Sequence, residues 1–384
     1  MTEKLIQTLM DGLAVGSLYA LIALGYTMVY GILKFINFAH SDVFVLGAWM
    51  SYTVALCAGW PDGQPTHMAT WVLLLLVGIA VAGGLVAGFT YWRRKRIAPA
   101  AYTLWLVSGW GWVAVLLVLL ARLLHQNGFD IIAGGVILVC SMLTCGVVGF
   151  ALERLAYKPL RNAPRLNVLI TAIGVSLFLQ NLGQLDWMFG TRPQGMPQLL
   201  PDKVLFNFAG TPGANPGEWL VQPVRVRLLD VIAAGTSIAL MVGLDRLVFH
   251  SKLGRAMRAV SFSERNAALM GIPVDKVVSF TFVLGAMLAA AAGFLYSQKY
   301  PGLGQTAAAV WVLLGLKAFV AAVVGGIGNI RGAMLGGLLI GLAEMFVKAY
   351  QSPSVVDIYV FGILIAVLLV RPGGLLGKAT VEKV

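Results

Sequence analysis

Apolar segments long enough to cross a lipid bilayer follow one another along the chain, near 6–30, 42–57, 68–91, 101–124, 130–152, 167–185, 228–249, 277–298, 310–328, 332–349 and 355–370. A water-soluble domain carries about a quarter charged residues. Here 11% of the 384 residues are charged, 59% are hydrophobic, and the mean hydropathy is +0.85. Backbone N–H and C=O groups in hydrocarbon must be satisfied internally, so the segments are helices; barrel strands would be shorter and would alternate. The expected architecture is an all-α polytopic membrane protein of about 11 transmembrane helices, forming a single transmembrane domain over residues 1–384. The second segment falls short of the roughly 17–25 residues a span needs. It predicts a helix that tilts little, local bilayer thinning, or a broken, partly buried helix.

Lys and Arg are spread unevenly between the segments. Alternate loops hold eighteen, among them "RRKR" at 93–96, Arg154, Lys158, Arg161 and Arg165, against eight on the other side. Basic residues stay preferentially on the cytoplasmic side, which predicts the amino terminus outside and the carboxyl terminus in the cytoplasm. The same bias accounts for the net charge of +12 without a nucleic-acid partner. The opening "MTEKLIQTLMDG" lacks a basic n-region, so the first helix is expected to stay in place. Cys57, Cys140 and Cys145 have no metal-ligand spacing to a histidine and read as packing residues. Small-xxx-small spacings at Gly12/Gly16, Gly84/Gly88, Gly332/Gly336 and Gly337/Gly341 predict close helix seams.

Polar residues inside this apolar pattern are candidates for function. "GILKFINFAHSDVFVLGAW", 31–49, sets Asn37, His40 and Asp42 between two apolar runs, and a polar break at membrane depth is tolerated where it lines a cavity or is buried in protein. A plain turn with Asn37 capping the next helix is the alternative. In "VVGGIGNIRGAMLGG", 323–337, Asn329 sits in a comparable break, and an internal duplication of the kind found in transporters would relate the two. Lys317 and Glu344 fall at similar depths in neighbouring antiparallel segments. An unpaired charge there costs at least about 2.5–3.5 kcal/mol, so they are expected to pair or to face a polar cavity. The substrate-pathway candidates are thus Asn37, His40, Asp42, Asn329, Lys317 and Glu344.

No GxxxxGK[ST] loop, H-E-x-x-H or G-x-S-x-G is present, and His40, His67, His125 and His250 are scattered. No enzymatic site is expected. A secondary transporter or channel would use intramembrane charges such as Asp11, Lys317 and Glu344. A protein driven by others would need a docking element, and "SKLGRAMRAVSFSERNAALMGIPVDKV", 251–277, supplies a candidate. Ser261 and Glu264 have capping-box spacing, so a short helix over 262–270 would end at Gly271 before Pro273. Ala267, Ala268, Leu269 and Met270 would then seek a groove on a partner or lie on the bilayer surface.

At these residues the chain resembles the inner-membrane permease subunits of branched-chain amino acid ABC transporters. The similar stretches are "GSLYALIALGYTMVYGILKFINFAHSDVFVLGAW", "ERLAYKPLRNAPRLNVLITAIGVSLFLQN", the 251–277 loop with the helix after it, "GLKAFVAAVVGGIGNIRGAMLGGLLIGLAE" and "RPGGLLG". They cover about 5–57 and 130–378. The resemblance implies a multi-pass protein of the bacterial inner membrane, working with a second permease subunit in a homo- or heterodimer, two cytoplasmic ATP-binding subunits and a periplasmic substrate-binding protein. ATP would be used by those partners, and no cofactor would be bound by this chain. It also implies that 251–276 is the cytoplasmic coupling loop, with Ser261, Glu264, Ala267, Ala268, Met270 and Gly271 in its ATPase-coupling helix. The family carries branched-chain amino acids, and related permeases carry other amino acids, amides or urea. One departure is visible at about 60–128, an inserted helix pair whose Trp105, Trp110 and Trp112 read as lipid-facing or interfacial anchors.

Overall fold

The computed structural model describes residues 2–60, 99–161, 163–208, 211–212, 219–221 and 224–377. Among them the helices are α1 (Thr2–Leu33), α2 (His40–Ala58), α3 (Pro99–Gln126), α4 (Asp130–Leu152), α5 (Arg165–Gly183), α6 (Leu228–His250), α7 (Lys252–Phe262), α8 (Glu264–Leu269), α9 (Val274–Lys299), α10 (Ala309–Gly325), α11 (Ile330–Tyr350) and α12 (Val356–Val370). Nine segments among the described residues are long and apolar enough to span a membrane, and α10 adds a shorter apolar helix. The chain is a polytopic α-helical membrane protein. The segment expected at 68–91, "RRKR" and the Gly84/Gly88 spacing lie outside the described residues.

α1 is the axis of the bundle, buried almost continuously from Gly12 to Val29 and packed by α6, α9, α10 and α11. Its seam with α11 answers to the glycine spacings. A Cβ on Gly341 would stand 2.2 Å from the Gly16 Cα, and one on Gly337 would stand 2.4 Å from the Ala20 Cα. Such approach yields the van der Waals contact that holds helices together in lipid, where no hydrophobic difference drives them. Gly332 and Gly336 face the other way, onto Gly325 and Ala321 of α10. Cys140 and Cys145 are fully buried in α4, while Trp110 and Trp112 of α3 are exposed at 38% and 49%.

Among the described residues, three short antiparallel ribbons, absent from the sequence expectation, involve the long loop between α5 and α6. β2 (Val204–Phe208) pairs with β5 (Val224–Arg227), β3 (Thr211–Pro212) with β4 (Trp219–Val221), and β1 (Gln194–Gly195) reaches β6 (Gly302–Leu303) after α9. Arg227 clasps Asp202 beside this loop and holds its carboxyl below the usual carboxylate range. At the opposite end the closing "RPGGLLG" satisfies the carbonyls left open where α10 stops. The Leu375 N–H donates to the Val324 carbonyl at 2.9 Å, and the Leu376 N–H to that of Gly325 at 3.0 Å.

Candidate functional site

α1 stops at Leu33, and Lys34 turns the chain with a φ of 57°. Residues 35–39 then re-enter the bundle before α2 begins. The His40 ring packs against Gly25, its Nε2 lies 3.2 Å from the Ile22 carbonyl, and Ser41 packs against Gly315, midway along α10. From Ile22 to Leu33 is about 16 Å of helix at 1.5 Å per residue, so α2 starts well inside the bundle. The second segment, expected over 42–57, begins two residues earlier and forms one unbroken helix of 19 residues, long enough to count as a span in its own right. Asn37 does not cap it: Ala39 holds that position without a side-chain bond, and the Asn37 Oδ1 accepts from the Tyr157 hydroxyl at 2.5 Å. Backbone geometry explains the difference, since the Asn37 carbonyl closes a turn onto the His40 N–H at 3.1 Å, so Asn37 lies outside the helix and its side chain meets Tyr157.

Asp42, in the first turn of α2, is buried, with 6% of its surface exposed. Its Oδ1 accepts from the Gln180 amide at 2.9 Å, and its Oδ2 has no hydrogen-bond partner among the described residues. Gln180 also donates to Ser176 at 3.2 Å, while the Thr306 hydroxyl donates to the Gln180 carbonyl at 2.7 Å. This polar corner belongs to the wall of a cavity of about 730 Å³ between α2, α4 and α5. The rest of its lining is almost wholly apolar, with Val45 and Leu46 from α2, Val148 and Leu152 from α4, and Val175 and Leu179 from α5.

The other expected pathway residues lie elsewhere. Lys317 and Glu344 do pair, with Nζ 3.4 Å from Oε2, as their matched depths require. Glu344 also accepts from the Tyr19 hydroxyl at 2.7 Å and from Lys348 at 2.6 Å, and Lys317 meets Asp357 at 2.9 Å. The cluster ties α1, α10, α11 and α12 together away from the cavity lining. Asn329 is the N-cap of α11, accepting from the Arg331 and Gly332 N–H groups and donating to the Leu376 carbonyl. Its break turns at the end of the bundle, unlike the re-entrant one at 34–39.

Sequence reasoning missed a buried ion cluster at the end of α4. A π-turn, Glu153–Tyr157, follows that helix, and the Glu153 carboxylate is 0% exposed. It accepts from Arg161 and, at 2.5 Å, from the Ser279 hydroxyl. Arg161 and Lys158 both bind Asp275, at 2.7 and 2.5 Å. The charge pattern in "ERLAYKPLR" was available, but its partners on α9 lie more than a hundred residues away. Arg161→Ala is expected to cost about 3–5 kcal/mol by stranding Glu153, and Glu153→Leu with Arg161→Leu to recover most of it. Thermal unfolding of the wild type and both variants, purified in detergent, checks this.

The loop after α6 forms two helices instead of one. Ser251 caps α7 by accepting from the Gly254 N–H at 2.9 Å, and α7 runs on to Phe262, where one helix over 262–270 was expected. Ser261 therefore lies inside α7, its hydroxyl donating to the Arg258 carbonyl, and the expected Ser261–Glu264 capping box does not form. Ser263 is the cap of α8 instead, accepting from the Asn266 N–H at 3.2 Å, with Glu264 the first helical residue. The carboxyl end follows expectation: Gly271 takes φ +79°, and the Gly271 and Ile272 N–H groups bond the Ala268 and Ala267 carbonyls in a Schellman closure. Ala267 is buried within the chain, whereas Ala268, Leu269 and Met270 face outward, the last two 79% and 82% exposed.

A bundle of spanning helices with a polar re-entrant turn before α2, a cavity beside that helix and a capped helix in a loop fits a membrane permease. The family model described as the permease component of branched-chain amino acid transport systems matches residues 8–135 and 97–369, and the chain belongs to that family. It is 34% identical to the high-affinity branched-chain amino acid transport system permease protein LivH of Escherichia coli over 99% of this chain and 97% of that one. The corresponding protein BraD of Pseudomonas aeruginosa is 35% identical over 99% and 98%. A fructose import permease protein, FruG of Bifidobacterium longum, is 29% identical over 35% of this chain and 42% of its own. No solved structure matches the chain.

Proposed function

We propose that this chain is the membrane-spanning subunit of an ATP-binding-cassette importer that carries branched-chain or related amino acids across the bacterial inner membrane. It would work with a second permease copy or homologue, two ATP-binding subunits and a periplasmic binding protein, and bind no cofactor itself. The amino terminus would lie outside and the α7–α8 loop in the cytoplasm, as the Lys and Arg distribution favours. Residues 60–128 would be an addition to the common scaffold, with α3 as its second helix.

The observation that carries this reading is α8, a helix capped at both ends in a loop, presenting Leu269 and Met270 to solvent at the basic end of the bundle. A helix so built fits a groove on another protein. Asp275, in the first turn of the next helix, comes only four residues after Gly271, and its bonds to Lys158 and Arg161 lead to the segment that enters α5. A push on α8 thus reaches a wall of the cavity through charged contacts. The names of LivH and BraD support the substrate class, while the partial likeness to FruG warns that the scaffold alone does not fix it. Lys317 and Glu344 are committed to each other and to their neighbours, which weighs against an ion-coupled carrier.

Uptake of labelled leucine, isoleucine and valine into proteoliposomes of the assembled complex tests the reading. Saturable uptake is expected only with ATP, the ATP-binding subunits and the binding protein together. Saturable uptake by the purified chain without ATP would overturn it.

A further inference from the structure

We infer that the cavity between α2, α4 and α5 is a binding site for a primary ammonium group joined to a branched aliphatic chain, with Asp42 taking the ammonium. The inference rests on the transport reading above and adds a site and a ligand chemistry to it.

Two observations meet there. Asp42 presents a carboxyl with one oxygen held by Gln180 and the other, beside the Ser176 hydroxyl, without a geometric hydrogen bond among the described residues, only 6% exposed and on the cavity wall. A buried carboxyl oxygen without a donor is costly, and a cavity filled by hydrocarbon tails would leave it so. An occupant with N–H donors and a positive charge satisfies it. The walls next to it, Val45, Leu46, Val175 and Leu179, accept only apolar groups. One charged corner on an otherwise aliphatic wall is the shape of an aliphatic amine, and the volume of about 730 Å³ accommodates one the size of a branched-chain amino acid. Gln180 positions the carboxyl, being held in turn by Thr306 and Ser176.

The same chemistry occurs in phosphatidylethanolamine, which carries a primary ammonium beside acyl chains, so the test separates the two sources. Val175→Cys is placed in a chain whose Cys57, Cys140 and Cys145 are replaced by serine or alanine. The complex, assembled with its ATP-binding subunits, is set in nanodiscs of phosphatidylcholine and phosphatidylglycerol, then labelled with a small neutral methanethiosulfonate. L-Leucine and 3-methylbutylamine are expected to slow labelling about tenfold at about ten times their Kd, since only the empty fraction reacts. 4-Methylpentanoate, which lacks the ammonium, should not. Asp42→Asn keeps the shape and the bond to Gln180; it should abolish protection and lower leucine uptake at least about tenfold.

Equal protection by 4-methylpentanoate, or labelling blocked by phosphatidylethanolamine and insensitive to leucine, would overturn the assignment. Wild-type vesicles that import leucine, while the thiol of the Val175→Cys variant reacts at one rate with and without it, would overturn the cavity site alone. Wild-type vesicles of the assembled complex that import neither these three nor any other amino acid would overturn the transport reading itself.

Discussion

Gly337→Leu is expected to leave almost no folded protein in the membrane. The site lies on the seam between α11 and α1, where an added Cβ would stand 2.4 Å from both the Cα and the N of Ala20. Those are backbone atoms of the most buried helix, so no rotamer change relieves the contact. Four residues on, Gly341 meets Gly16 as closely, so the two helices would have to part along two turns at once. Overpacking in a core that can adjust costs about 1–3 kcal/mol, and this seam has less room to adjust. In lipid nothing but contact holds it closed. We expect a loss above that range, read as disappearance of the monodisperse peak in detergent gel filtration. Gly174→Leu on α5 is the control: a Cβ there meets nothing within 4 Å, and the peak should be retained. A Gly337→Leu protein that elutes like wild type would show that the seam is softer than its geometry.

That seam was legible because glycine spacing reports close approach directly. The helices were legible for a similar reason: each announces itself by an apolar run, and the Lys317–Glu344 pair follows from counting residues to the membrane edge. Depth was not legible where the chain leaves a helix. Hydropathy sees the length of α2, but nothing in "KFINFAH" states that the return from Lys34 climbs to the level of Ile22 before His40 starts the helix. Nor does the run at 167–185 distinguish α5 from its neighbours, since the bond that marks it, Gln180 to Asp42, joins residues far apart in sequence. Register at the α7–α8 corner was ambiguous because Ser261 and Ser263 both suit a cap. Tertiary packing decided it: Gly254 lets α7 lie against the last turn of α6, where a Cβ would come within 2.2 Å of the Val248 carbonyl. Once α7 is anchored there it extends to Phe262 and the cap falls to Ser263. The alternation in "VRVR" and the β-branched and aromatic residues of "VLFNF" do signal strands, but they are easily passed over inside a chain so strongly helical.

Substitutions at Gly271 are expected to separate transport from folding. The residue closes α8 with φ +79°, and a Cβ built on it meets nothing within 4 Å. The penalty for replacing it is therefore backbone strain alone, about 1–2 kcal/mol for an ordinary side chain in the left-handed region. Spread over the bundle that sum would be trivial. Concentrated on a six-residue helix, far below the length that is stable in isolation, it decides whether α8 keeps its shape. Because space is not limiting, Gly271→Ala should be nearly as damaging as Gly271→Leu, and Gly271→Asn should be mild, since Asn tolerates this conformation. Leucine uptake and co-purification of the ATP-binding subunits should fall together, by about 5–30-fold for Ala and Leu, with insertion and detergent stability unchanged. A ranking by side-chain size, with Asn and Leu alike and Ala harmless, would mean that the residue touches its partner directly. Full uptake by all three would remove α8 from the path of the stroke.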